Sequence, residues 1–178
     1  LVTEGGRRAM LITSVNDEPV GKSEMAPFLV EAGFAPSALG PNGLDPDAVE
    51  CAAQPVYNFP SYFVDYVRQE PFNVPTSFWR GVGPTHNVFV VESFLDECAV
   101  AANQDPVAYR RALLQQAPRA LKVLDTAAEA AGWWQPLPAG SGRGVAVVYV
   151  FDTYLAVVAQ VAVATGGEVR VQRVVCAV

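Results

Sequence analysis

Residues 145–164, VAVVYVFDTYLAVVAQVAVA, are twenty almost uninterrupted apolar positions. A run of this length must either cross a bilayer or be buried inside protein. Asp152, Thr153 and Gln160 break it, and an Asp near a bilayer midplane costs roughly 2.5–3.5 kcal/mol. Val and Tyr also dominate over Leu, which favours extended chain. The run therefore reads as two buried strands, residues 145–151 and 154–164. Gly166 and Gly167 then turn the chain into a third strand over residues 169–178.

A chain of 178 residues with 51% hydrophobic and 17% charged positions is too apolar for disorder, and its Gly and Pro lack a collagen period. Twelve Lys and Arg against eighteen Asp and Glu leave a net charge of −6, and no basic stretch is long enough to follow a row of phosphates. Nucleic acid is excluded as a partner on that ground. Cys51, Cys98 and Cys176 are odd in number and fit no CxxC spacing, so reduced, buried thiols are expected and no metal site. The chain starts at Leu1 and stops at Val178 within an apolar run, which reads as an internal piece of a longer polypeptide. The first fifteen residues do not have the order of a signal peptide.

Residues 9–15 read as a strand that turns at Asn16, Asp17, Glu18 and Pro19. Residues 33–46, rich in Gly and Pro, form an irregular loop. Residues 62–67 and 74–79 read as short strands. Beyond Gly83 and Pro84 the period becomes helical. Val88, Val91, Phe94, Leu95, Cys98 and Ala99 share one face, with Thr85 as the N-cap. A second helix starts at Asp105 and Pro106. A third opens at Pro118, buries Leu121, Leu124, Ala128 and Ala131, and stops at Gly132. Residues 133–143 form a connector. The fold class is α+β, a mixed sheet with a central group of three helices.

Residues 78–87, FWRGVGPTHN, run from an extended segment through two glycines into a helix. Gly81 and Gly83 allow a ligand close to the backbone, the helix start offers N–H groups and a positive dipole end, and Arg80 adds a planar cation. The competing reading is an ordinary turn with Arg80 on the surface. His86 has no second His near it and reads as a hydrogen-bonding group at the helix start. Glu92 and Asp96, one turn apart, with Glu97 beside them, could do acid/base work. The simpler reading makes them a solvated face or partners of Arg110 and Arg111. Residues 140–144, GSGRG, precede a strand instead of a helix and so read as a flexible turn. Trp133 and Trp134 cover the end of the third helix.

The ordered set FWRGVGPTHNVFVVESFLDECA, QDPVAYRRALL, VLDTAAEAAGW, GRGVAV and GGEVRVQRVVCAV resembles the molybdopterin-binding large subunit of the xanthine dehydrogenase and aldehyde oxidase family. The branch it is most similar to is the bacterial isoquinoline 1-oxidoreductase beta subunit type, which also includes aldehyde dehydrogenases. The resemblance covers residues 45–178, and the whole chain would then be a fragment of the molybdopterin-binding domain. It implies that Arg80, Gly81 and Gly83 lie at the molybdenum cofactor and that Val82 faces the substrate pocket, where relatives often carry an aromatic. Cys98 and Gln160 depart from the family pattern, which often has an aliphatic and an acidic residue there.

By the same resemblance the complete enzyme oxidises an aldehyde or an N-heterocycle with water-derived oxygen and passes electrons to iron–sulfur clusters on a small partner subunit. Its catalytic glutamate is expected beyond Val178 and its Gly-rich cofactor loop before Leu1. No catalytic residue is then expected in this piece, and the isolated piece is expected to be inactive. The alternative is a non-catalytic interaction or cofactor-shell domain. Partners would be the iron–sulfur subunit and the rest of the large subunit. Self-association is a further expectation, because the apolar strand 169–178 should expose its surface. The compartment stays open between bacterial cytoplasm and periplasm.

Overall fold

The computed structural model describes residues 14–15, 18–19, 24, 27–28, 45–65, 67 and 79–178. The chain divides into two units, Leu1–Ala48 with Tyr66–Trp79, and Val49–Asp65 with Arg80–Val178. In the first, β1 (Ser14–Val15) pairs antiparallel with β2 (Glu18–Pro19), so Glu18 and Pro19 belong to a strand and not only to the expected turn. Asp45 accepts the N–H groups of Asp47 and Ala48 at 3.0 and 3.3 Å. Most of the expected strands 9–15 and 74–79 and of the loop 33–46 lies outside the described residues.

The second unit holds α1 (Pro84–Ala101), α2 (Pro106–Leu113), α3 (Pro118–Ala131), β3 (Ser141–Val150), β4 (Thr153–Val163) and β5 (Val169–Ala177). All three strands pair antiparallel in the order β3-β4-β5. The sheet is therefore antiparallel where a mixed one was expected, because consecutive strands joined by short turns can only run back on each other. The run 145–164 folds as two strands of which Val145, Val147, Ala156 and Val158 are buried, and among the described residues no helix is long and apolar enough to cross a membrane. Residues 62–65 form no strand, since an aromatic-rich run without a pairing partner has no ladder to join.

The core forms between the helices and one face of the sheet. Leu95, Val107, Leu114, Leu124, Val147 and Val158 are among its buried members. Pro106 and Pro118 each start a helix at a position where an N–H would be spare. Asp105 caps α2 by accepting from Val107 and Ala108, both at 2.9 Å. α3 ends on left-handed Gly132, as its sequence position implied.

Several local expectations are revised. Gly83, not Thr85, is the N-cap of α1, because the Thr85 hydroxyl donates back to the Arg80 carbonyl at 3.0 Å. Phe94 is 62% exposed instead of buried, lying one position around the helix from Leu95. The connector ends at residue 140, since β3 already begins at Ser141. Arg143 is likewise no part of a flexible turn. Its Nη1 donates to the carbonyls of Gly132, Trp133 and Gln135 at 2.7, 2.8 and 2.9 Å, while Arg173 donates to Ala130 at 2.9 Å. Two strand cations thus cover the negative end of α3. Trp133 packs on the core and donates to Asp105 at 2.8 Å, whereas Trp134 is exposed. Cys51 and Cys98 are half-buried and Cys176 is exposed, all as free thiols.

The β3–β4 turn consists of Phe151 and Asp152, with φ of 48° and 58°. Both central residues of this tight hairpin turn are left-handed, a geometry that favours Asn and Gly and penalises a bulky aromatic. Phe151 is 67% exposed and loses little packing if replaced. Phe151→Asn should therefore raise stability by about 0.5–1 kcal/mol, read as an upward shift of the denaturation midpoint. A fall in the midpoint would contradict this account of the turn.

Candidate functional site

Two polar constellations stand out in the second unit, a loop at the head of α1 and a buried cluster in its middle. In the loop, Gly81 and Val82 have φ of 90° and 49°, and Gly83 returns to the helical region. A Cβ added at Gly81 would collide with Thr85 Oγ1, so the close return of the chain requires glycine there. Val82 is β-branched and left-handed, an uncommon and strained combination. The first helical turn closes through Thr85 N–H to Val82 O at 3.2 Å, His86 N–H to Gly83 O at 3.2 Å and Asn87 N–H to Gly83 O at 2.9 Å. Gly83 is buried, Gly81 and Val82 are half-buried, and Arg80 and His86 are exposed. The N–H groups expected to be on offer at the helix start are thus taken, Pro84 having none and those of Thr85, His86 and Asn87 bonding within the turn, so an exposed guanidinium and the positive end of an eighteen-residue helix remain to suit an anionic group.

The buried cluster joins four parts of the unit. Tyr57 donates its hydroxyl to Glu92 Oε1 at 2.8 Å. Arg110 Nε and the Val147 backbone N–H both donate to Glu92 Oε2, at 3.0 and 2.9 Å. Arg110 also donates through Nη1 to Asp96 Oδ1 at 2.6 Å and Pro106 O at 3.2 Å, and through Nη2 to Glu92 O at 2.8 Å. Arg110 is fully buried and Glu92 and Tyr57 nearly so. The reading of Glu92 and Asp96 as partners of Arg110 is thereby confirmed. Arg111 goes elsewhere, pairing with Asp125 of α3 at 3.2 Å.

Burial pushes the Glu92 carboxyl up against the pull of Arg110 and its donors. For Arg110 burial works downward, yet the neighbouring charge of Glu92 carries the guanidinium above its ordinary value. The geometry favours the ionised pair, since both carboxylate oxygens face donors and a proton on Glu92 would have only the Tyr57 oxygen to reach. Burial, reinforced by Glu92, pushes the Tyr57 hydroxyl far up, so it remains a neutral donor.

This cluster is not built as a reaction centre. The cleft beside it, lined by Cys51, Tyr57, Val88, Glu92, Val147 and Tyr149, has an open volume of about 20 Å³, room for a water and no organic substrate. Burial and the adjacent Glu50 push the Cys51 thiol up, away from nucleophile chemistry. Its Sγ–H points to the Tyr149 carbonyl at 3.7 Å. Tyr57 and the Val147 N–H carry no periodic signal in the sequence, and only the fold brings them to Glu92.

No family model matches the chain, and no solved structure matches it. It is 29% identical over 147 residues to the beta subunit of isoquinoline 1-oxidoreductase from Brevundimonas diminuta, covering 67% of this chain and 19% of that protein. It is 45% identical over 60 residues to the B component of nicotinate dehydrogenase from Pseudomonas putida, covering 34% of this chain and 5% of that protein. The chain is thus distantly and partially similar to oxidoreductase subunits. It spans about a fifth of the first relative and a twentieth of the second.

Removing the Glu92 carboxylate leaves a fully buried guanidinium with three of its four hydrogen bonds but without its buried counter-charge. Glu92→Ala should cost on the order of 3–5 kcal/mol, and Tyr57→Phe, which removes one hydrogen bond to a charged group, roughly 1.5–3 kcal/mol. Denaturant titration of both variants checks this order. A Glu92→Ala loss no larger than that of Tyr57→Phe would contradict the central place given to the carboxylate.

Proposed function

We propose that this chain is part of the large subunit of a molybdenum hydroxylase, an enzyme that oxidises an aldehyde or an N-heterocycle with oxygen taken from water. The observation that carries the reading is the Arg80, Gly81, Val82, Gly83 turn at the head of α1, within a chain whose relatives are components of an isoquinoline oxidoreductase and a nicotinate dehydrogenase. Its residues fit the edge of an anionic pterin cofactor. The positive-φ backbone allows close approach, the helix start favours negative charge, and Arg80 is free to fork onto oxygen ligands.

When bound, the molybdopterin group would supply the redox chemistry and the activated oxygen. The chain's own contribution is to bind and orient. Arg80 and the backbone of Gly81 and Gly83 would hold one side of the cofactor. Val82, smaller than an aromatic, lines the substrate side and leaves room there without a stacking surface. Iron–sulfur clusters on a separate partner protein would accept the electrons. The catalytic base and the remaining cofactor contacts lie in other parts of the large subunit.

The purified 178-residue chain should accordingly bind no stoichiometric molybdenum and oxidise neither an aldehyde nor isoquinoline, by metal analysis and turnover assay. Stoichiometric metal with turnover would overturn the assignment of an incomplete site. In the complete large subunit with its partner, Arg80→Ala should lower turnover by roughly a hundredfold, the scale of losing one oriented charge-stabilising group, with folding retained. Unchanged turnover would point instead to a cofactor-shell or interaction role.

A further inference from the structure

Two backbone carbonyls bracket the positive-φ pair at the head of α1, and a single residue takes both. The Thr85 hydroxyl donates to the Arg80 carbonyl at 3.0 Å, and the Thr85 backbone N–H donates to the Val82 carbonyl at 3.2 Å. Between these carbonyls lie Gly81 and Val82, with φ of 90° and 49°. A β-branched residue keeps a left-handed backbone only where its surroundings fix it. Thr85 can fix it because it is itself the second residue of an eighteen-residue helix. Asn87 Nδ2 donates to the Glu50 carbonyl at 2.8 Å, which ties the start of that helix to the preceding segment.

The hydroxyl decides more than the path of the turn. It closes the loop from Arg80 back onto the helix, and so keeps the exposed Arg80 side chain beside the helix head. The Arg80 carbonyl and the Gly81 N–H also share one planar trans peptide and point in opposite directions. With the carbonyl turned to Thr85, the Gly81 N–H is turned away from Thr85, and among the described residues no backbone carbonyl accepts from it. Glycine takes φ of either sign, so without the hydroxyl this peptide is free to rotate. The contact also explains the glycine, since a Cβ at residue 81 would collide with Thr85 Oγ1.

We propose that Thr85 is a positioning residue, a clasp on the Arg80–Val82 turn that holds the Arg80 guanidinium and the Gly81 N–H where one anionic ligand can meet both. The identity of that ligand rests on the cofactor reading above, whereas the clasp does not.

Trypsin cuts after Arg80 only when the turn opens, so cleavage at this bond reads the clasp with no cofactor bound. Thr85→Ala removes the donor and leaves a good helix former. In the 178-residue chain it should speed cleavage at Arg80 about fivefold, the scale of losing one hydrogen bond. Thr85→Val, close to Thr in shape, should do the same, and Thr85→Ser should cleave at close to the wild-type rate. Circular dichroism checks that each variant is folded. In the complete large subunit with its partner, Thr85→Ala should lower turnover roughly tenfold, and Thr85→Ser should restore most of it. Thr85→Ala combined with Arg80→Ala should lose less than the product of the separate losses, because both act on one contact. Cleavage unchanged by Thr85→Ala and Thr85→Val would overturn the clasp. Turnover lost in Arg80→Ala alone, or losses that multiply, would overturn the positioning role and leave the cofactor reading standing. Turnover indifferent to both substitutions would overturn the cofactor reading and this role with it.

Discussion

The ion pair between Glu92 and Arg110 is the constraint on which the arrangement of the second unit depends. Neither charge can be taken out of water cheaply, and their attraction offsets that cost only when the remaining donors and acceptors are filled. Here they are filled from four directions. Arg110 draws α2 onto α1 through Glu92 and Asp96, and a further donor is taken up within α2 by the Pro106 carbonyl. The second oxygen of Glu92 takes the N–H of Val147 on β3, a strand that among the described residues has no further strand beyond it. A helix carboxylate thus satisfies one of the edge groups that would otherwise invite another chain. Tyr57 closes the cluster from the segment preceding the helices.

Fixing α1 in this way has a consequence at its head. The turn of Arg80 to Gly83 is shaped by its own glycine and by the Thr85 hydroxyl, but its direction is that of the helix it starts. The apolar content also becomes intelligible by location. α1 carries apolar residues on both sides, with Leu95 and Ala99 inward and Phe89 and Phe94 outward, and the sheet has an uncharged outer face and an inner face whose Arg143 and Arg173 are bonded to the end of α3. A helix or sheet of this kind belongs to the middle of a layered structure, so these surfaces are built for contact.

Much of this is legible from the residues. The proline starts at Pro106 and Pro118, the Asp105 cap, the Gly132 stop and three C-terminal strands follow from local rules that need no tertiary partner. The misreadings share a cause, which is that tertiary contacts decide them. Thr85 resembles a cap because its type favours that role, yet a carbonyl five residues back takes its hydroxyl. GSGRG resembles a flexible turn because of its glycines, yet Arg143 finds three carbonyls at a helix end that only the fold brings near. Phe94 fits a helical stripe at the resolution of periodicity, which cannot separate it from its neighbour Leu95. The Glu92 cluster is half legible. Its helical spacing exposes the acidic pair and suggests the arginines, while Tyr57 and the Val147 N–H come from irregular and strand segments that periodicity does not connect.

A double-mutant cycle on Glu92 and Arg110 tests most directly whether this ion pair organises the unit. Glu92→Met, Arg110→Leu and the combined variant would be compared by denaturant unfolding. Each single variant leaves a buried charge without its opposite in the pair, whereas the double variant replaces both by apolar volume. The predicted result is that the double variant is more stable than the sum of the single losses implies, by about 2 kcal/mol or more. Losses that simply add would mean that the two side chains act separately, and that something other than their pairing holds α1, α2 and β3 together.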